Sequence, residues 1–250
     1  MRRIMLTVAY DGTDFHGWQV QPGVRTVEGE LNRALSQWLN DDISVIGASR
    51  TDTGVHALGN LAVFDMELSI PADKIAYALN TKLPPDVKVQ KAEEVAPDFH
   101  PRHCESRKTY EYRFYAAKYP MPLARRFASY TYLEPDVERM RQGAGYLIGE
   151  HDFKSFCCVR TQAESTVRTI YDISVIKEGP EIVIRIQGNG FLYNMVRIIA
   201  GTLLDVGTGR WEPAYVKEML EAEERSAAGP TAPPEGLCLC SVEIMDRNDF

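Results

Sequence analysis

The run Ile43-Ser44-Val45-Ile46-Gly47-Ala48 is followed by a polar, glycine-bearing loop from Ser49 to Gly59, and then by Leu61-Ala62-Val63-Phe64-Asp65-Met66. Each flanking run is short, apolar and rich in β-branched or aromatic residues, which predicts two consecutive strands. Their neighbours decide the fold. Upstream, Ile4 to Tyr10 reads as a buried strand, and Asp11-Gly12-Thr13-Asp14 as a turn. Thr26 can cap a helix whose apolar stripe is Val27, Leu31, Ala34, Leu35, Trp38 and Leu39, with Glu28 and Glu30 favourably placed in the first turn. Downstream, Pro71 opens a second helix with Ile75, Leu79 and Leu83 on one face, and Val87 to Val95 reads as a fourth strand. The order strand, helix, strand, strand, helix, strand is the split β-α-β, ferredoxin-like arrangement. It predicts an N-terminal α+β domain over residues 1–104.

Residues 105–250 repeat this grammar loosely. Lys108 to Ala116 alternates, with Tyr110, Tyr112 and Phe114 on one face. A helix is expected over Asp136 to Ile148. Val167, Thr169, Tyr171, Ile173 and Val175 alternate as a strand, and Gly179-Pro180 turns the chain into Ile182-Val183-Ile184-Arg185-Ile186. Asn189-Gly190 leads a helix with Leu192, Met195, Val196, Ile199 and Leu203 inward, and a further helix carries Val216, Met219 and Leu220. Ala227 to Gly236, rich in Ala and Pro, is expected to be an exposed loop, and Leu237 to Ile244 a last strand. The expectation is an α+β chain of two ferredoxin-like halves with antiparallel sheets.

With 44% hydrophobic and 25% charged residues, the chain has the composition of an ordinary globular protein. No apolar stretch is long enough to span a bilayer. The start, Met1-Arg2-Arg3-Ile4-Met5-Leu6, is basic and then apolar, but charge returns by Asp11 and no small-residue cleavage site follows. Five cysteines, an odd number with no Cys-x-x-Cys pair, argue against a disulfide framework and a cysteine-rich zinc site, and for a reducing cytoplasm. His100, His103 and Cys104 lie close together, at a spacing that matches no usual metal pattern. The net charge of −7 argues against nucleic acid, but Arg102, Arg107, Lys108, Arg113, Lys118, Arg125 and Arg126 face only Glu105 and Glu111 over one stretch. A locally basic surface on an acidic protein is compatible with RNA binding.

Within the loop, Asp52 sits between threonines and ahead of a glycine. Taken alone it could make a turn or cap a helix. The full string Arg50-Thr51-Asp52-Thr53-Gly54-Val55-His56-Ala57 resembles the catalytic motif of the TruA family of tRNA pseudouridine synthases. Other blocks resemble that family in order: Tyr10-Asp11-Gly12-Thr13-Asp14-Phe15-His16-Gly17-Trp18-Gln19, Thr26-Val27-Glu28-Gly29, Lys108-Thr109-Tyr110-Glu111-Tyr112-Arg113, Phe191-Leu192-Tyr193-Asn194-Met195-Val196-Arg197 and Pro234-Glu235-Gly236-Leu237. Two positions depart from the pattern. Thr53 stands where alanine is more usual, and Tyr193-Asn194 where paired histidines can occur.

The resemblance implies isomerisation of uridine to pseudouridine at positions 38, 39 and 40 of the tRNA anticodon stem-loop. The halves would be RRM-like and would meet around a central catalytic cleft. Asp52 would be the nucleophile, and Arg197 the ion-pair partner that keeps it charged where burial favours the protonated acid. Tyr110 would stack on or near the target uracil and take part in proton removal at carbon 5. Arg50 would hold the flipped base out of its helix, and Leu237 would border the base pocket. The enzyme would be a homodimer with tRNA crossing both subunits. Nothing is oxidised, reduced or hydrolysed overall, so no cofactor or metal is demanded. His56 is expected to be a hydrogen-bonded frame residue. Two other readings of the same residues are a non-catalytic RNA-binding protein and a cofactor-free hydrolase built on Asp52 and His56.

Overall fold

The computed structural model of the protein describes residues 1–159 and 163–245. The chain is α+β and separates into two compact units: Met1–Ser106 with the described part of Leu239–Phe250, and Arg107–Cys238.

In the first unit, β1 (Arg2–Tyr10) pairs antiparallel with both β3 (His56–Met66) and β4 (Val87–Val95), and β2 (Ile46–Gly47) pairs antiparallel with β3. Helix α1 (Val27–Leu39) lies between β1 and β2 in the chain, and α2 (Ala72–Asn80) between β3 and β4. Thr26 caps α1 by accepting a hydrogen bond from the Gly29 N–H, and Asn40 ends the helix in the left-handed conformation. Val27, Leu31, Ala34 and Leu35 bury the helix's inner face. Strand β3 is buried along almost its whole length, which explains its nearly continuous apolar run.

The strand boundaries differ from expectation for definable reasons. Ile43 to Val45 are not strand, because side chains of α1 take the backbone bonds that a ladder would have made. The Ile43 N–H donates to Ser36 Oγ, and the Val45 N–H to Asn32 Oδ1. Strand β3 begins at His56 rather than Leu61, since buried Asn60 joins the ladder and its side chain bonds the Ser49 backbone. Helix α2 stops at Asn80, whose amide pairs with both backbone groups of Val89 in β4. Leu83 is buried from the following turn.

In the second unit, β5 (Ser106–Ala116) pairs in parallel with β6 (Ser129–Thr131) and antiparallel with β9 (Glu181–Gly188). Strand β8 (Val167–Glu178) pairs antiparallel with β9 and with β7 (Gly149–Asp152), so this sheet is mixed. Helices α3 (Val137–Gly145), α4 (Met195–Gly207) and α5 (Tyr215–Glu221) complete the unit. Asp136 caps α3, which ends three residues before the expected Ile148. The alternation read across β8 breaks at a register shift between Ile170 and Asp172. Ile170, Ile173 and Val175 are buried, while Tyr171 turns outward beneath the Arg107 guanidinium. Strand β10 (Leu237–Ile244) runs over the span expected of it.

Ala227 to Gly236, expected from its composition to be an exposed loop, is buried at four positions. Ala228, Gly229, Ala232 and Gly236 are buried, and the loop packs on α4. Small residues let the two backbones approach. A Cβ on Gly201 would lie 2.1 Å from the Pro230 carbonyl oxygen, and one on Gly229 would lie 2.7 Å from the Thr202 Cα. The Gly229 N–H donates to Thr202 Oγ1 at 3.0 Å.

Candidate active site

In the first unit, Asp52 stands on the loop between β2 and β3. Its own carbonyl accepts the Val55 N–H at 3.1 Å, which closes a turn with Gly54 at φ +79°. The backbone on both sides is anchored. The Tyr10 hydroxyl and Thr51 Oγ1 share a buried 2.7 Å hydrogen bond. The Thr51 carbonyl accepts the Trp18 N–H at 3.0 Å, and the Gly54 N–H donates to the Phe15 carbonyl at 3.2 Å. The loop after β1 is thus laced onto the Asp52 loop.

Glycine is required where these two loops meet. Gly17 has φ +85°, and a Cβ there would sit 2.7 Å from the Thr51 carbonyl oxygen. Gly47 lies under the fully buried Trp18 ring, where a Cβ would come within 2.4 Å of the indole. Phe15 is also buried, with the Arg25 guanidinium 4.1 Å above its ring. Arg25 is in turn gripped bidentately by Asp86 and singly by Glu30. Asp52 itself is half-buried on this rigid frame.

His56 belongs to that frame. The Gly12 N–H donates to its Nδ1 at 2.9 Å, which requires Nδ1 to be an acceptor. The same nitrogen stands 3.3 Å from Asp11 Oδ1, so the ring joins the start of β3 to the turn after β1. Arg50 is exposed on the Asp52 loop. Arg102 Nε donates to the Gly47 carbonyl at 2.7 Å, which ties β2 to a later segment of the same unit.

The second unit carries Tyr110, Arg197 and Leu237. Tyr110 is buried on β5 and meets the Phe191 ring edge-on at 5.1 Å. Leu237 is buried just after a helical turn over Pro234–Gly236. That turn is seated by Tyr112, whose hydroxyl donates to the Pro233 carbonyl at 2.7 Å and whose ring leaves no room for a Cβ on Gly236. Burial, above all, pushes the Tyr112 phenol well above its ordinary pKa.

Arg197 lies in the first turn of α4 and is half-buried. Its Nε donates to the Ala232 carbonyl at 2.8 Å, and its Nη1 to Asn194 Oδ1 at 2.9 Å. The Ala232 N–H returns a bond to the Arg197 carbonyl at 3.0 Å. Asp52 and Arg50 therefore share one unit, and Tyr110, Arg197 and Leu237 the other. Sequence reasoning missed the supports: Trp18, Gly17, Asn194 and the Ala232 carbonyl. Only the aromatics and the glycine of Phe15-His16-Gly17-Trp18, and the polar Asn194 just ahead of an apolar helix, hinted at them.

The basic stretch is partly engaged. Arg113 pairs with Glu111 and Glu181, and Arg125 and Arg126 lie at the surface. His100 and His103 stack face to face at 3.9 Å, and among the described residues no group of three or more His, Cys, Asp or Glu side chains could hold a metal ion.

The sequence model of the family described as tRNA pseudouridine synthase matches residues 6–103 and 144–243. The chain is 48% identical over 242 residues to tRNA pseudouridine synthase A of Bacillus subtilis (strain 168), covering 96% of this chain and 98% of the relative. It is 46% identical over 242 residues to the protein of the same name from Bacillus licheniformis, at the same coverage. It is 44% identical over 242 residues to that of Thermoanaerobacter sp. (strain X514), covering 97% of this chain and 99% of the relative. Among solved structures, the archaeal box H/ACA sRNP Nop10-Cbf5 complex is similar at a TM-score of 0.35 and 12% identity, over 90% of this chain and 60% of that one. The chain belongs to the tRNA pseudouridine synthase family, in its TruA branch.

Proposed function

We propose that this protein isomerises uridine to pseudouridine in tRNA, at positions 38, 39 and 40 of the anticodon stem-loop, with Asp52 as the nucleophile. The reaction breaks the bond between ribose and the uracil nitrogen, turns the freed base, and joins ribose to carbon 5, whose hydrogen leaves as a proton while the freed nitrogen takes one up. Atoms and electrons balance without an oxidant, a reductant or a hydrolytic water. A carboxylate nucleophile can serve such a sequence.

The observation that carries this reading is the Asp52 loop. Its backbone is laced to Phe15 and Trp18 and its Thr51 side chain to Tyr10, while Asp52 is half-buried. Such pre-organisation serves chemistry that depends on placing one atom. In this proposal Arg197 is the cationic partner that keeps Asp52 ionised. Tyr110 stacks on the target base and assists proton removal, Arg50 holds the everted nucleotide, and Leu237 borders the base pocket. A stacked uridine must leave its helix to be reached. Work at adjacent positions favours reading tRNA by shape and phosphate contacts. The proposal includes two ferredoxin-like, RRM-like halves around a central cleft, and a cytoplasmic homodimer.

The test uses tRNA carrying tritium at carbon 5 of uridine. Isomerisation releases the label to water, and mapping of the modified nucleotides places pseudouridine at positions 38 to 40. Free uracil as product, or no release with a well-folded enzyme, would reject the proposal.

A further inference from the structure

Asn194 has an unusual conformation for its place. Three non-glycine residues have positive φ among the described residues: Asn40, Asn194 and Glu223. Asn40 ends α1, where a left-handed residue is the usual device. Asn194 instead precedes α4, with φ 64° and ψ 3°, where an extended residue is the rule. Asparagine is among the best helix N-caps because its side-chain oxygen can accept a first-turn amide. Thr26 and Asp136 do this for α1 and α3. The Asn194 side chain makes no such bond. Its oxygen turns instead to Arg197 Nη1, one helical turn on, at 2.9 Å. The bond is made from a left-handed backbone at 194, and the helix has no side-chain cap there.

The second restraint comes from the loop on α4. Arg197 Nε donates to the Ala232 carbonyl, and the Ala232 N–H donates back to the Arg197 carbonyl. Two acceptors on two sides of a planar guanidinium fix both its position and its plane. Both are neutral amide oxygens, so these bonds orient the cation without cancelling its charge. A carboxylate at 194 would orient it and neutralise it together.

We infer that Asn194 is a positioning residue for Arg197, its left-handed backbone and amide oxygen aiming the guanidinium for the reaction. This rests on the proposed role of Arg197 beside Asp52. Asn194→Gly separates backbone from side chain, because glycine adopts the same φ freely while removing the amide. The expected result is a kcat lowered about ten-fold with KM for tRNA within about two-fold, the signature of a bond that matters in the transition state. The acidic limb of the pH profile should move to higher pH, since a poorly aimed cation holds the nucleophile's carboxylate ionised less well. The melting temperature should hold.

Arg197→Ala, measured alongside, separates two kinds of failure. If Arg197→Ala leaves turnover and the pH limb unchanged, the role of Arg197 is wrong. If Arg197→Ala removes activity while Asn194→Gly matches the parent in kcat and pH limb, the positioning role is wrong and that of Arg197 stands. A large drop in the melting temperature of Asn194→Gly would also overturn the inference, by showing that the amide serves the fold instead.

Discussion

Arg25 and Arg197 are both half-buried and both hydrogen-bonded, and yet they are set up differently. Arg25 meets carboxylates, Asp86 through a bidentate fork and Glu30 through a single bond. Its charge is matched where it lies, and its ring contact with Phe15 braces the loop that holds Asp52 in place. Arg197 meets the Ala232 carbonyl and the Asn194 amide in its own unit. Those two bonds, both to neutral amide oxygens, fix its direction. The difference is one of acceptors: carboxylates at Arg25, neutral amide oxygens at Arg197.

That distinction can be broken most sharply by removing each cation. Arg197→Ala should reduce kcat/KM by about 100-fold or more, as its proposed role of keeping Asp52 ionised requires, with little change in the denaturation midpoint. Arg25→Ala should do the reverse. Solvent screening at its partial exposure discounts the ion pairs, so a loss of about 1–2 kcal/mol in urea unfolding is expected, with turnover per folded molecule largely kept. If Arg25→Ala removed activity without destabilising, the contrast would fail.

Gly17 sharpens the comparison from the loop side. Gly17→Ala forces a side chain into a left-handed backbone and against the Thr51 carbonyl. It should cost about 2–3 kcal/mol and lower kcat through a displaced Asp52 loop, both readable from unfolding and turnover of one preparation.

Acid should separate the two arginines by a smaller amount. The hydrogen bond from Arg25 holds the Asp86 carboxyl below its ordinary value. Burial alone would raise Glu30, but hydrogen bonds from Arg33 and Arg25 outweigh it and lower it as well. A carboxylate depressed in the folded state adds stability above its unfolded pKa, and that stability fades as pH falls through the folded value. The parent should therefore lose stability more steeply than Arg25→Ala below the ordinary carboxylate range. Parallel stability curves would refute the link to Arg25. The smallest effect expected is at a cap: Thr26→Ala should cost about 1 kcal/mol, seen as a lower denaturation midpoint with unaltered turnover.

Much of this arrangement is legible in the sequence where one local rule governs. The stripe from Val27 to Leu35 and its Thr26 cap form as periodicity predicts. So do the Tyr110, Tyr112 and Phe114 face of β5, and β10 from Leu237 to Ile244. The Asp52 string stands out as a motif, though the string alone does not reveal what holds it. The misses share one cause: a partner distant in sequence overrides a local pattern. Ile43 to Val45 carry strand residues, but Ser36 and Asn32 take their backbone bonds. Ala228 to Gly236 has the composition of a surface loop, but Gly201 and Gly229 let it lie against α4. Asn194 looks like a helix cap, but its oxygen goes to Arg197. In the site, what escapes the sequence is the support: carbonyls and glycines whose importance lies in contacts that no periodicity encodes.

The most direct measurement is tritium release from carbon-5-labelled uridine in tRNA by the parent and by Asp52→Asn, at equal folding and equal tRNA binding. Asparagine matches aspartate in size and lacks the negative charge, so release should fall to background while the melting temperature and tRNA affinity stay near the parent values. Release at the parent rate from Asp52→Asn would contradict a mechanism built on that carboxylate.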